Sequence, residues 1–367
     1  MFELKKICSR FRIAGTFKTA YPYGSGHIND TYKIDTVEEE AHDYILQRVN
    51  HQVFKNVPGL MDNIDRVTRH IRGKLEALPD ADPDRETLTL VPTHSGETYY
   101  LDESGNYWRV YLFIRDNRSY DIVTSPDQAY QGGRMFGRFQ AMLSDLPGDP
   151  LIETIPNFHN IEWRLQLFEE ALRKDPVQRA LTIREEIDFV RKRAEEMSTI
   201  LLLGREKMIP ERITHNDTKF NNVLLDEDDK GLCVIDLDTV MPGYVHYDFG
   251  DSIRTTTNTA AEDEKDLDKV EMDIRLFKAY SEGFLEETRE MLTTTEIDYL
   301  AFAGKLFPYI IGLRFLTDYI EGDHYFKIKH EHHNLQRARS QFKLLRSMER
   351  QFQEMRQIIE KLRKQPK

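Results

Sequence analysis

The chain has 367 residues, enough for two domains or for one two-lobed enzyme with a cleft. Its 40% hydrophobic and 31% charged residues exclude a disordered or fibrous polymer. With 51 Lys and Arg against 63 Asp and Glu the net charge is −12, which disfavours nucleic acid and anionic membrane surfaces as partners, because their phosphates repel it.

The two cysteines, Cys8 and Cys233, argue against a disulfide framework and against a zinc site built from thiolates alone. Cys233, in the apolar run Leu232-Cys233-Val234-Ile235, reads as a buried, inert thiol. The start, Met1-Phe2-Glu3-Leu4-Lys5-Lys6, lacks the apolar core of a signal peptide. No stretch of about 18 apolar residues is read anywhere. A cytoplasmic protein is expected.

Residues 12–115 carry strand-like patches separated by turns, among them Thr31-Tyr32-Lys33-Ile34 and Tyr44-Ile45-Leu46-Gln47-Arg48-Val49. A helical stretch near 58–76 interrupts them. Strand-like segments at 88–92 and 98–101 lead to Tyr107 to Ile114, whose β-branched and aromatic content suits a sheet. Ala81-Asp82-Pro83-Asp84-Arg85 reads as a loop. After Arg115 helical periodicity dominates, at 126–145, 160–174, 184–204, 263–287, 295–321 and 334–363. One β-rich island, 212–238, interrupts those helices. The pattern predicts an α+β protein with a small antiparallel β-rich lobe over 1–115. A large, mainly helical lobe follows over 116–367, with a hinge near 113–118. The densely charged final helix reads as a solvated or packing helix.

The most informative stretch is Ile213-Thr214-His215-Asn216-Asp217-Thr218-Lys219-Phe220-Asn221-Asn222, followed by Val223-Leu224-Leu225. Phosphoryl transfer to a hydroxyl needs a carboxylate beside the nucleophile and a separate oxygen donor on the metal. The spacing offers Asp217 for the first and Asn222 for the second. After a polar turn, an apolar strand ends in Ile235-Asp236-Leu237-Asp238. A carboxylate at the mouth of a buried strand calls for a counter-charge, and a metal ion is the usual one. Asp236 follows Asp217 by 19 positions, which suits a hairpin that brings base and metal ligands together.

Asp248-Phe249-Gly250 spells the metal-binding triplet of protein kinases, but it stands 31 positions after Asp217 and follows no hydrophobic strand. The metal is therefore assigned to Asp236, with Asp238 as the first substitute, and Asp248 and Asp251 are read as braces for the loop or the helix start, with a direct substrate contact as the alternative. Upstream, the glycines of Tyr23-Gly24-Ser25-Gly26-His27-Ile28-Asn29 let backbone N–H groups approach phosphates. Phe113, at the hinge, joins Gly24, Ser25, Gly26 and Gln47 as a nucleotide contact.

Together, Gly24-x-Gly26, His215-Asn216-Asp217 with Asn222, and Ile235-Asp236 resemble the aminoglycoside phosphotransferase and choline kinase superfamily, of protein-kinase-like fold. Longer strings are similar to the N-acetylhexosamine 1-kinases: Tyr23 to Asn29, Tyr44-Ile45-Leu46-Gln47, Thr214 to Lys219, Ile235 to Thr239, Met241-Pro242-Gly243 and Asp248 to Arg254. Arg314-Phe315-Leu316-x-Asp318-Tyr319-x-Glu321-Gly322-Asp323 is another. The resemblance implies ATP and Mg²⁺ as cofactors and transfer of the γ-phosphate to the anomeric hydroxyl of N-acetylglucosamine or N-acetylgalactosamine. It implies Asp217 as base, Asn222 and Asp236 on Mg²⁺, and His27, Arg314 and Tyr325 on the sugar. One departure stands out: Gln47 occupies the strand position where a kinase usually carries a phosphate-binding Lys or Arg, leaving that clamp and its partner acid, for which Asp65 is a candidate, unassigned. The alternatives are a related kinase acting on choline, homoserine, an aminoglycoside or another sugar, and a kinase-shaped protein that binds without turnover.

Overall fold

The computed structural model describes residues 3–24, 28–38 and 40–364. They form two compact units, the first drawn from Met1–Arg118, Met142–Pro156 and Val223–Pro242 and the second from Ser119–Ala141, Asn157–Asn222 and Gly243–Lys367.

The first unit is built on an antiparallel sheet of β1 (Phe17–Pro22), β2 (Asp30–Thr36), β3 (Tyr44–Val49), β4 (Tyr100–Leu101) and β5 (Tyr107–Leu112), in the order β1-β2-β3-β5-β4. Alternation along the central strands sends Ile34, Tyr44, Leu46, Trp108 and Val110 into one core with Ile7, Cys8 and Phe11. Helix Val57–Glu76 begins at Asn56, whose side chain accepts from Gly59 N, with Pro58 in the first turn. It buries Leu60, Met61, Ile64, Val67, Ile71 and Leu75, a 3–4 residue spacing that gives it one apolar face. The hairpin Val223–Leu225/Gly231–Val234 joins this unit where Arg118 bridges Leu225. Cys233 is fully buried in it against Ile114 and Leu224.

The second unit is helical. Helix Leu300–Glu321 is long and apolar enough to cross a membrane by length and composition, yet 94% of its most apolar window is buried inside the protein. It packs against helices Ile161–Lys174, Val245–Thr256 and His333–Arg363. The charged final helix covers it with Leu335, Ala338, Phe342, Leu345 and Met348.

Several element boundaries differ from the sequence reading. Residues 88–92 pair only through a single bridge from Leu90 to Tyr111. The outer edge of β5 is shared there with β4, and Pro92 has no N–H to extend a ladder. The loop at 81–85 contains a short helix, Pro83–Glu86, capped by Asp82. The stretch 184–204 breaks into Arg184–Arg191, Ala194–Met197 and Thr199–Arg205, with Ser198 turning its hydroxyl back to Ala194 O at the second break. The helix expected from 263 starts at Ile274, because Asp273 caps it and a bridge from Asn258 to Met272 draws the chain just before it out of helix, leaving only the 3₁₀ turn Leu267–Lys269 ahead of it. Thr293 and Glu296 form a capping box on Thr294–Asp298, a separate turn ahead of Leu300–Glu321.

Helices Pro126–Leu143 and Ile274–Thr288 meet backbone to backbone at glycines. A Cβ on Gly133 would lie 2.1 Å from Tyr280 O, and one on Gly283 2.2 Å from Tyr130 O. Gly133→Ala should therefore destabilise the protein by about 1–3 kcal/mol. Gly73→Ala, in a helix and with nothing within 4 Å, should stabilise it by about 0.5–1 kcal/mol. Thermal and urea unfolding of the two variants check this pair of opposite signs, and a neutral Gly133→Ala would refute the close crossing.

Candidate active site

In the second unit the stretch from Thr214 to Asn222 is irregular backbone, with Asn216 in the left-handed region at φ 65°. Buried irregular backbone needs partners for its N–H groups, and helix Val245–Thr256 supplies them. Asp248, fully buried, accepts from His215 N at 2.8 Å and Asn216 N at 2.7 Å, and from Gln140 Nε2 at 2.6 Å. Burial pushes its carboxyl above the ordinary range, against the charge of His215 and the donated N–H bonds. Asp251 accepts from Thr218 N at 3.1 Å, the Thr218 hydroxyl donates to Asp248 O, and Ser252 donates to Thr218 O. Asp251 is itself paired with Arg254 at 2.8 Å. The reading of Asp248 and Asp251 as braces is met bond by bond.

The braced loop presents Asp217. Lys219 Nζ lies 2.9 Å from its Oδ1, and Asn222 Nδ2 donates to Asp217 O at 2.8 Å and to Oδ2 at 3.4 Å. Burial would raise the Asp217 carboxyl, but the charge and hydrogen bond of Lys219, then the charges of His215 and Arg254, outweigh it and hold the group below the usual carboxylate range. The charge of Asp217 in turn raises Lys219. Asp217 is thus a carboxylate, the form able to accept a proton. The amide nitrogen of Asn222 is committed to Asp217, which leaves its oxygen as the donor atom for a hard cation.

In the first unit the 3₁₀ turn Leu237–Thr239 follows Asp236, itself left-handed at φ 63°. The two aspartates of this segment differ in their partners. Asp238 is buried and ion-paired with Arg109 through both carboxylate oxygens. It also accepts from Asn29 Nδ2. Arg109, 1% exposed, donates from Nε and Nη2 to Gln47 Oε1 at 2.9 and 2.7 Å, and Gln47 Nε2 donates to Thr31 Oγ1 at 2.9 Å. The charge of Asp236 also stabilises the guanidinium. The cation absent at position 47 therefore stands one strand over, directly opposite Gln47 in the β3–β5 register. Asp65 pairs with Arg69 at 2.9 Å on its own helix, and the acid that reaches the Gln47 position is Asp238, acting through Arg109.

The remaining candidates are placed as follows. Gly24 is left-handed at φ 77° with open space around it, a conformation that favours glycine. Ser25, Gly26 and His27 lie outside the described residues. The Phe113 ring meets Tyr23 edge-on at 5.7 Å and carries the Lys33 ammonium at 4.7 Å. Lys33 is paired with Asp35 and Asp43. Arg314 and Tyr325 come together in the second unit, Nη2 to Oη 3.4 Å. The acids beside Arg314 in sequence do not neutralise it. Asp318 accepts from the N–H groups of His324, Tyr325 and Phe326, and Asp323 pairs with Arg179.

Sequence reasoning missed Lys219, Arg109 and His159. Arg109 had a signal, as a lone cation inside the strand Tyr107–Leu112. His159 had none. It is buried, 2.9 Å through Nε2 from Asn216 O, and burial followed by the charges of Arg314 and Arg164 holds its ring down near 3 despite that bond. It is neutral, donates through Nε2, and keeps an unprotonated Nδ1 that has no partner.

No group of three or more His, Cys, Asp and Glu able to hold a metal occurs among the described residues. The side-chain oxygens of Asn222 and of Asp236 are each hard donors of the kind Mg²⁺ takes, usually with only one or two protein ligands. Asp248→Asn would set an amide donor against one of the loop's N–H groups, at a cost of about 2 kcal/mol or more. Urea unfolding measures it, and a loss under about 0.5 kcal/mol, the size of an ordinary surface change, would remove Asp248 as the brace.

Residues 19–288 match the model of the phosphotransferase enzyme family, APH. Among solved structures, an aminoglycoside phosphotransferase from Alicyclobacillus acidocaldarius is similar at TM-score 0.62 and 14% identity, over 96% of this chain and 97% of that one. An amicoumacin kinase in complex with AMP-PNP and Ca²⁺ is similar at TM-score 0.56 and 13% identity, over 98% and 92%. A choline/ethanolamine kinase family protein from Mesorhizobium loti is similar at TM-score 0.53 and 12% identity, over 94% of each. At such identities the structures establish the fold, a small antiparallel sheet lobe and a larger helical lobe of protein-kinase-like type. With the family match across most of its length, the chain belongs to the phosphotransferase enzyme family, within the aminoglycoside phosphotransferase and choline kinase superfamily.

Proposed function

We propose that the protein is an ATP-dependent kinase that phosphorylates a hydroxyl group of a small molecule, with Asp217 as the base or orienting carboxylate. The observation that carries the reading is the Asp217 carboxyl, held by Lys219 and Asn222 on a loop whose backbone is tied to Asp248 and Asp251. In the step proposed, the acceptor hydroxyl gives its proton to the Asp217 carboxylate. The acceptor oxygen bonds to the γ-phosphorus as the bond to the β,γ-bridging oxygen breaks, and ADP leaves. Mg²⁺, when bound, would neutralise charge on the phosphates. Asn222 and Asp236 are the residues that would hold it, since Asp238 is already neutralised by Arg109. Gly24, Ser25, Gly26, Gln47 and Phe113 are proposed on the nucleotide. The engagement of both ends of the Gln47 amide favours an indirect part for that residue, through Arg109.

For the acceptor we favour the anomeric hydroxyl of an N-acetylhexosamine, with His27, Arg314 and Tyr325 as contacts. The support is the set of motif strings at 23–29, 44–47, 214–219, 235–239 and 314–323. Solved structures of similar fold carry the names of aminoglycoside, aminopropanol and ethanolamine kinases, so an amino alcohol acceptor is the second reading.

ADP release with Mg²⁺-ATP, measured against N-acetylglucosamine, N-acetylgalactosamine, glucose, choline, ethanolamine and an aminoglycoside, tests both. Phosphorus NMR of the product identifies the phosphorylated atom. An anomeric phosphate supports the sugar reading, whereas turnover with an amino alcohol alone replaces it. Asp217→Asn should lower kcat by on the order of 10²–10⁴ with nucleotide affinity kept, and activity within a few-fold of the parent would remove its role. Asp236→Ala should weaken Mg²⁺-nucleotide binding in a titration, and unchanged affinity would move the metal elsewhere.

The pH profile has a definite sign. The base works ionised, and its carboxyl is depressed, so activity should be lost only as pH falls through a value below the ordinary carboxylate range. Lys219→Met removes the strongest depressing partner and should move the acid limb of kcat/KM to higher pH. An unmoved limb would detach that limb from Asp217.

A further inference from the structure

Two arginines of the second unit stand together without a carboxylate. Arg314, on helix Leu300–Glu321, places its guanidinium over the rings of Phe158 at 5.1 Å, Tyr325 at 5.7 Å and Phe326 at 5.6 Å. Arg164, on helix Ile161–Lys174, donates from Nε and Nη2 to Phe158 O at 3.2 and 2.7 Å. Both converge on Phe158. Burial, and next the charge of Arg314, pushes Arg164 down to about 10. The acids in reach by sequence are spent elsewhere: Asp318 on three backbone N–H groups and Asn334, Asp323 on Arg179 and Asn334, and Glu162 on Arg205. Neither Arg164 nor Arg314 forms an ion pair among the described residues.

The pair lies beside the loop that carries Asp217. His159 follows Phe158 and bonds to Asn216 O, and the charges of Arg314, Arg164 and Asp217 all act on its ring. Two guanidinium groups held close in a partly buried place are mutually destabilising unless something supplies lone pairs to their N–H groups. A ligand rich in hydroxyl, carbonyl or carboxylate oxygens does so. An ammonium cannot, and it adds a third like charge. The aromatic faces that would attract a quaternary ammonium are already covered by Arg314.

Resting on the kinase reading above, we propose that Arg164 and Arg314 set the charge class of the acceptor: an oxygen-rich molecule that carries no ammonium group. Arg164 is the residue newly assigned. It determines specificity through its charge beside Arg314, and its part is to exclude amines of the choline, ethanolamine and aminoglycoside kind.

The test compares compounds that differ in charge at one position. Glucose and glucosamine share a ring and differ by a hydroxyl against an ammonium, with N-acetylglucosamine as the uncharged amide. Below the pKa of the amine, kcat/KM for glucosamine should fall short of that for the uncharged sugars by about tenfold or more, and the gap should narrow as pH rises and the ammonium loses its proton. Arg164→Gln should narrow the gap at low pH, whereas Arg164→Lys should keep it. Equal or better use of glucosamine, choline, ethanolamine or an aminoglycoside overturns the proposal. So does an unchanged ratio in a folded Arg164→Gln variant. If that variant does not fold, the pH comparison on the unmodified protein decides. Calorimetric binding of the same compounds separates the two readings. Uncharged sugars that bind without turnover count against the kinase and not against the charge class, and tighter binding of the amines, or binding of none of the panel, overturns the charge class.

Discussion

The loop that carries Asp217 depends on one buried carboxylate. Asp248 takes the N–H groups of two consecutive loop residues and the amide of Gln140. Without it, buried irregular backbone would be left with unmatched donors. Three residues on, Asp251 repeats the device for Thr218. One helical turn therefore fixes the loop at both sides of Asp217, and Asp217 inherits a defined place although its own residue is not helical or extended. The triplet Asp248-Phe249-Gly250 matches a metal-binding signature in letters, but here its aspartate faces N–H groups.

The first unit solves a related problem with a cation. A sheet position that faces a buried helix admits a charge only with a partner, and Arg109 has Asp238, Gln47 and a second acid, Asp236, acting on it. Asn29, just ahead of strand β2, binds the same carboxylate. The chain Thr31–Gln47–Arg109–Asp238–Asn29 thus connects three strands, Asn29 and the Asp236 segment through hydrogen bonds and one buried ion pair. That arrangement gives Gln47 a reason to be neutral: its oxygen accepts from a guanidinium that already supplies the positive charge.

Electrostatics then divides the two aspartates that the sequence treats alike. Asp236 and Asp238 sit two residues apart in one apolar context, and spacing alone offers either as a metal ligand. The ion pair to Arg109 withdraws Asp238. On the other unit the acids near Arg314 in sequence turn elsewhere: Asp318 accepts from the backbone of 324–326, and the guanidinium is held by aromatic rings.

The sequence by itself determined what periodicity and local spacing encode. The sheet-then-helix order, the strands at 31–34, at 44–49 and over most of 107–114, and the placing of Asp217 and Asn222 in one loop were legible, because each depends on residues near in the chain or on a repeat of 2 or 3.6. The brace role of Asp248 and Asp251 was expected as well, but its partners, His215 and Thr218, stand 33 positions away and only the fold brings them together. Helix ends were less legible: where the stretch expected from 263 begins depends on a bridge between Asn258 and Met272. Only the tertiary structure decided the partners of buried polar and charged groups. Arg109 finds Asp238 across 129 positions, His159 finds Asn216 across 57, and Arg164 meets Arg314 from another helix. Coulomb energy in a buried setting follows distance and dielectric in space, and neither is written in the order of the residues.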